Sequence, residues 1–229
     1  MWITEPSPLG RIVVPPDLPP GFGLFGTTRD DPGKVVAEEL TSFVRTRFGL
    51  ETSLTTCVQV HSATVTRAAR EQSWRECDSC DALWSAERGT SLGIKIADCL
   101  PVSLIDVAQN VIANIHSGWR GAVQRITAAT LDAAPLDPAS THAFLGPSIR
   151  VCCFEVGEDV ASQFDARFID RSHAKPHVDL VAFTADILRA RGITRISDSE
   201  LCTRCDGSIF HSYRRDGVGK GRNLVIVSQ

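Results

Sequence analysis

The sequence predicts an α/β fold: one domain over residues 1–229, built on a mixed sheet with flanking helices. Three observations carry that prediction. Short β-branched, apolar stretches alternate with segments of helical spacing. Of the 229 residues, 43% are apolar, enough to fill a substantial core. No internal repeat, low-complexity tract or linker-like composition divides the chain.

The elements follow in order. Residues 1–33, rich in Pro, Gly and Asp, read as an extended arm with one short strand around 21–28 and little other regular structure. Over residues 34–48, Val36, Leu40, Phe43, Val44 and Phe48 recur at helical spacing and Gly49 closes the segment, so a surface helix is expected. Strands are expected at 56–60, 92–97, 101–106 and 111–115. Val123, Ile126 and Thr130 mark one face of a helix that stops near Pro135. A strand over 141–145 runs into Gly146-Pro147. Helical patterns return at 156–164 and at 180–191, the latter closed by Gly192, and 223–227 reads as a final strand.

Composition narrows the function. Lys and Arg number 24 against 27 Asp and Glu, a net charge of -3, so nothing points to nucleic acid or an anionic membrane as partner. Small-molecule partners are expected. The first residues lack the order of a signal peptide, and no apolar run approaches a membrane span. A cytoplasmic location is the resulting expectation, with the eight cysteines as reduced thiols available for metal or nucleophilic chemistry.

The stretch ANIHSGWRGAV, residues 113–123, is the first candidate site. Val107-Ala108-Gln109-Asn110 has the length of an antiparallel hairpin loop between strands 101–106 and 111–115. Folding about that loop brings Cys99 within about two residues of His116 across the pair. His61, at the end of strand 56–60, is the third polar residue at a strand end. Each alone also fits a core or edge role. Together, 38 and 17 residues apart, they suit convergence from separate strands on one metal with an open fourth position. Two imidazoles and a thiolate favour zinc. Copper is the rival, but a blue-copper centre usually adds an axial Met, and Met1 is the sole methionine. A helix beginning near Trp119 would aim free N–H groups and Arg120 at the same place, with Ser117 and Gly118 in the turn as substrate contacts for an anionic group. The competing reading is a tight turn with Trp119 plugging the core.

At this point the chain resembles the YfiH family, also called the laccase-domain or purine nucleoside phosphorylase family, formerly polyphenol oxidase. The segments that carry the resemblance are QVHSATV (59–65), DALWS (81–85), IADCLPVSL (96–104), NIHSGWRGAV (114–123), LGPSIRVCCFEVGEDV (145–160) and SYRRDGVGKGRN (212–223). It implies that His61, Cys99 and His116 are metal ligands, and that the activity is zinc-dependent phosphorolysis of adenosine, inosine and methylthioadenosine with adenosine deamination as companion. Asp98, beside Cys99, is the candidate proton shuttle. The N-terminal region, about 1–50, departs from the family pattern: Arg29 passes through Asp30-Asp31-Pro32-Gly33 straight into the helix, where a Gly-rich stretch is usual. Three other readings stand beside this one. Cys99 with His116 would make a cysteine amidase or deamidase, or a hydrolase editing peptidoglycan precursors. A copper polyphenol oxidase would consume more imidazoles than the six histidines supply. A non-enzymatic binding module would keep the fold alone.

Two C-x-x-C pairs remain, Cys77 with Cys80 and Cys202 with Cys205. Their readings are a second, structural zinc held by all four thiolates, a redox pair, or unconnected buried thiols. Cys57, Cys152 and Cys153 are expected to be core thiols, since adjacent strand cysteines point to opposite faces. His173 and His177 are expected in an exposed loop. His211, Arg214 and Arg215 are candidates for the rim of the site, although the arginines also suit pairing with Asp216.

Overall fold

The computed structural model describes residues 1–30 and 36–229. In chain order the elements are β1 (Ile3–Ser7), β2 (Gly10–Val14), β3 (Gly23–Thr27), α1 (Ala37–Phe48), β4 (Ser53–Cys57), β5 (Val65–Arg67), β6 (Arg75–Cys77), β7 (Ala82–Ser85), β8 (Thr90–Ile96), β9 (Leu100–Asp106), β10 (Val111–Ser117), α2 (Trp119–Val123), α3 (Ile126–Ala133), β11 (Thr141–Leu145), α4 (Glu158–Ala161), β12 (Ile169–Asp170), β13 (His177–Val178), α5 (Leu180–Ala190), β14 (Arg195–Asp198), α6 (Tyr213–Asp216) and β15 (Asn223–Ser228). The class is α/β with mixed pairing, as the sequence predicts. The strands form two large sheets where one was expected: β1-β2-β3-β15-β8-β4-β6 and β14-β11-β9-β10-β7-β5.

The layers follow from which apolar residues face which. Val13, Leu24, Leu92, Ile94 and Val225 of the first sheet meet Leu83, Ile105, Ile112 and Phe144 of the second. On its outer face the first sheet packs Ile12, Phe25 and Ile226 against Leu40, Phe43 and Val44 of α1. The second sheet packs Val102, Leu104 and Ile115 against Ile126 of α3 and Val181, Ala185 and Leu188 of α5. The result is four layers, helix on sheet on sheet on helices. Both faces of β9 and β10 are covered, which is why every residue of each is buried and their sequences run nearly continuously apolar. Each fully buried Leu, Ile, Val or Phe contributes about 1.5–3 kcal/mol of transfer free energy, so these two strands anchor the core. Asn114 is a buried polar residue in the middle of β10. Its side-chain amide donates to the carbonyls of Leu92 and Val225 across the sheet interface, and its oxygen accepts from Ser103 Oγ.

Several expectations need correction. The N-terminal arm is a regular hairpin, Ile3 facing Val14 and Ser7 facing Gly10. Pro6 disguised it, but β1 is an edge strand, where a missing N–H costs no ladder bond. The helix expected over 34–48 starts at Ala37, and residues 34 and 35 lie outside the described residues. The helix marked by Val123, Ile126 and Thr130 is two helices, broken where Arg125 takes φ 64°. Only Glu158–Ala161 of the expected helix at 156–164 is helical. The strand expected over 56–60 ends at Cys57, because the N–H groups of Val60 and its neighbours turn to a buried carboxylate described below.

Candidate metal centre and active site

The β9–β10 hairpin pairs His116 with Pro101 and Ser117 with Leu100, so continuing the register sets Cys99 opposite Gly118. The loop after β4 brings His61 over the same end. The ligating atoms of His61, Cys99 and His116 all lie within 4.8 Å of one another. Cys99 Sγ is 3.9 Å from His61 Nε2, and the two imidazoles stand edge to face with centroids 4.9 Å apart. His116 is buried, Cys99 half-buried and His61 exposed, so the cluster is open on the His61 side.

The residue that organises this cluster is Asp81, which the sequence reading quoted only as the head of DALWS. It is fully buried, immediately before β7. Its Oδ1 accepts from the His61 N–H at 2.9 Å and lies 2.8 Å from His116 Nδ1. Its Oδ2 accepts from the N–H groups of Ser62 and Val60 at 2.7 and 3.2 Å, and from Ser62 Oγ at 2.9 Å. Three consecutive amides can converge on one carboxylate because His61 takes φ 60°, the left-handed region that His visits more readily than most residues. Asp81 therefore positions one ligand through its backbone and the other through its ring. With Nδ1–H of His116 donated to Asp81, Nε2 is the nitrogen free to ligate. The available signal was a charged residue at the head of a buried apolar strand.

Electrostatics follow from this packing. Burial works against ionisation of Asp81, yet its hydrogen bonds from His116 and Ser62 hold it well below the ordinary carboxylate range. Burial pushes the Cys99 thiol up, but the hydrogen bonds and charges of His116 and His61 bring it down to about 6. Burial pushes His116 down, and Asp81 and Cys99 raise it to about 9. The cluster thus stabilises a thiolate, the form of cysteine that ligates metals and attacks electrophiles.

Gly118 completes the geometry. A Cβ there would sit 2.7 Å from Cys99 Sγ and 3.4 Å from the His61 ring, so only glycine lets the strand end approach the thiolate. It also precedes α2, but that helix has five residues, and its first side chains matter more than its dipole. The guanidinium of Arg120 lies 4.3 Å from the Trp119 ring centroid. Both line a cavity of about 720 Å³ that also reaches His61, Cys99, Tyr213 and Arg214. Its size suits a small organic ligand.

The remaining sequence candidates divide. Arg214 lines the cavity and holds the Glu155 carbonyl at 2.8 Å. Arg215 faces away: its guanidinium pairs with Asp216 and caps the carbonyls of Thr203, Arg204 and Phe210. His211 is not among the cavity-lining residues, and its main chain pairs with the Asn223 side chain. Ser117 is buried, with its hydroxyl unpartnered. Asp98 borders the cavity, but its two oxygens are taken by Thr203 Oγ1 and the Arg214 N–H, both at 2.6 Å. That carboxylate ties the loops carrying Thr203 and Arg214 to the turn before Cys99. His177 is buried against the Val151 carbonyl and not exposed as expected.

The four C-x-x-C thiols do not meet. Cys77 and Cys80 pack with Cys57 in the core between the sheets. Cys202 and Cys205 meet Cys152 and Cys153 instead. The adjacent pair converges because residues 151–153 form a turn, closed by the Cys153 N–H on the Arg150 carbonyl, and not the strand that would splay them.

Residues 22–229 match the family described as multi-copper polyphenol oxidoreductase laccase. Among relatives, the chain is 32% identical over 227 residues to adenosine deaminase RL5 from an unknown prokaryotic organism, covering 90% of this chain and 86% of that protein. It is 35% identical over 176 residues to purine nucleoside phosphorylase PA4543 of Pseudomonas aeruginosa, covering 73% and 71%. In fold it is similar to protein NMB0706 of Neisseria meningitidis, with a TM-score of 0.76, 24% identity and 99% and 98% coverage. The same TM-score relates it to YlmD of Geobacillus stearothermophilus at 21% identity, covering 93% and 94%.

Proposed function

This chain belongs to the YfiH, or laccase-domain, family, and from that premise we propose that it is a zinc-dependent enzyme that phosphorolyses purine nucleosides, adenosine, inosine and methylthioadenosine, and also deaminates adenosine. One observation carries the proposal: His61 from the loop after β4, Cys99 just before β9 and His116 at the end of β10 converge at a cavity that also presents Arg120, Arg214 and the rings of Trp119, Phe154 and Tyr213. Relatives bearing the names purine nucleoside phosphorylase and adenosine deaminase supply the reaction classes.

Two imidazoles and one thiolate are a donor set that zinc takes readily, and the Gly118 cradle leaves the space a ligating thiolate needs. A zinc ion there would supply Lewis acidity to a substrate oxygen and lower the pKa of bound water. The chain's own residues do the rest. Arg120 and Arg214 place fixed positive charge where a phosphate or a developing oxyanion would lie. Trp119 and Tyr213 offer faces for a purine. Asp81 keeps the His116 ring in one tautomer and orientation. In phosphorolysis the bond between the ribose anomeric carbon and the purine nitrogen breaks, a phosphate oxygen bonds that carbon, and the purine takes a proton. In deamination, water oxygen replaces the exocyclic amine, which leaves as ammonia.

The test is incubation with adenosine and phosphate, reading adenine, ribose 1-phosphate, inosine and ammonia. Formation of these products, lost on chelation and in His61→Ala together with the zinc of that cluster, is the expected outcome. Zinc-loaded protein that forms none of them overturns the proposal in favour of a binding module. A second reading has its own support: a thiol held near 6, a histidine beside it and Asp81 behind the ring form a Cys-His-Asp arrangement suited to amide hydrolysis. Full activity after complete chelation would select that thiol mechanism. Copper polyphenol oxidase chemistry finds less support, since the described residues hold one His-containing cluster of three or more candidate ligands.

A further inference from the structure

Four of the seven cysteine sulfurs outside the catalytic cluster share one small volume. Cys152 Sγ lies 3.7 Å from Cys153, 3.9 Å from Cys202 and 3.9 Å from Cys205, and Cys153 Sγ lies 3.3 Å from Cys205. All the ligating atoms are within 4.8 Å of one another. A tetrahedron of sulfurs about 2.3 Å from a central zinc has edges of roughly 3.8 Å. A disulfide would instead bring two sulfurs to about 2.05 Å and leave the other two unused.

We propose that Cys152, Cys153, Cys202 and Cys205 form a closed, four-thiolate zinc site, structural in role and separate from the catalytic cluster.

The surroundings fit such a site. Cys153 and Cys202 are buried while Cys152 and Cys205 reach the surface, so the ion has an entry path and no open coordination position. Arg204, between Cys202 and Cys205 in the sequence, places positive charge beside a centre of excess negative charge. The backbone pre-arranges the two loops: Ser148 and Cys202 form an isolated bridge, and the Thr203 N–H donates to the Ser148 carbonyl. Four cysteines gathered from positions 50 residues apart have no packing reason to adopt mutual spacings near those of a tetrahedral centre. Binding releases the protons of whichever sulfurs are still thiols and makes the folded loops more stable than the free chain.

The site has a consequence for the cavity. Thr203, between the two C-x-x-C cysteines, donates to Asp98, and Ile149 N–H donates to the Asp98 carbonyl. Asp98 sits at φ 85° and immediately precedes Cys99. The clamp therefore braces, from two sides, the turn that carries the catalytic thiolate. Ile149 and Phe154, which flank Cys152 and Cys153, form part of the cavity wall.

The proposal does not rest on the reading of the catalytic site, and the experiment separates them. Full-length protein purified without a metal-affinity tag is analysed for zinc by elemental analysis and native mass spectrometry. Wild type is expected to carry two zinc equivalents, and His61→Ala and the pair Cys202→Ser with Cys205→Ser about half of that each. Cobalt substituted into His61→Ala should give the strong thiolate-to-metal charge-transfer absorption of a tetrahedral four-sulfur site. Alkylation mapping of wild type supplies a second reading that does not depend on how well the serine pair folds. The exposed Cys152 should resist iodoacetamide until a metal chelator removes the zinc and frees the thiolates. The proposal is overturned if His61→Ala holds no zinc and no cobalt, if Cys152 alkylates freely in zinc-replete protein, or if intact mass shows a disulfide among the four.

Discussion

Gly118→Ala should abolish tight zinc binding at the His61, Cys99 and His116 centre without unfolding the protein or emptying the four-cysteine site. Gly118 has φ -71° and ψ 169°, ordinary extended backbone that alanine adopts without strain, and no side chain caps α2 at that position. The added methyl is the whole perturbation. It would lie 2.7 Å from Cys99 Sγ, against the roughly 3.5–4.0 Å of an unstrained nonbonded contact, so the sulfur must retreat by about 1 Å. Metal–ligand distances tolerate about 0.2 Å. Moving one of three ligands five times that far should weaken zinc by about 100-fold or more, some 2.7 kcal/mol, and reduce kcat/KM at least as much. Zinc affinity is read by competition with a chromophoric chelator, and fold by circular dichroism and thermal unfolding. A variant with wild-type zinc affinity and wild-type Tm would refute the placement of Cys99 against Gly118 as the ligating geometry.

Asp81→Asn keeps the shape of the side chain but presents N–H₂ to either the Ser62 and Val60 donors or the His61 and His116 donors. We expect a stability loss of about 1–3 kcal/mol by urea denaturation and a zinc affinity lower by about 10- to 100-fold; unchanged values in both would contradict its positioning role. Asp106 offers a pH test away from the site. Burial raises its carboxyl, but bonds from the Ser140 hydroxyl and the N–H groups of Gln109, Asp137 and Ala108 outweigh it, so its pKa is below the ordinary value. Its contribution is therefore fully present above the unfolded pKa of about 3.9 and is lost as pH falls through the lower folded value. Asp106→Asn should be less stable at neutral pH by about 1–3 kcal/mol, with the difference from wild type shrinking below pH ~4. Stability curves that stay parallel down to acid unfolding would show that this carboxylate is not linked to folding.

Much of the fold was legible in local patterns. The hairpin of β9 and β10 could be read because two apolar, β-branched runs flank a four-residue turn, and its register placed Cys99 near His116 before any coordinates. The N-terminal hairpin was obscured because Pro6 and Pro8 resemble loop residues unless one knows that β1 is an edge strand. The division into two sheets was also hidden. Strands buried on both faces show no alternation that tells which face meets a helix and which meets another sheet.

What the sequence by itself determined is the set of apolar strands, the main helices and three polar residues stationed at strand ends, because propensity, periodicity and turn length act over a few neighbouring residues. Tertiary structure alone decided that Asp81 fastens both His61 and His116, that Asp98 ties the loops of Thr203 and Arg214 together, and that Cys202 and Cys205 find Cys152 and Cys153 rather than Cys77 and Cys80. The physical reason is that a C-x-x-C spacing brings two sulfurs to one point in space but carries no information about which distant turn arrives to meet them; that choice is made by how two sheets and their loops pack.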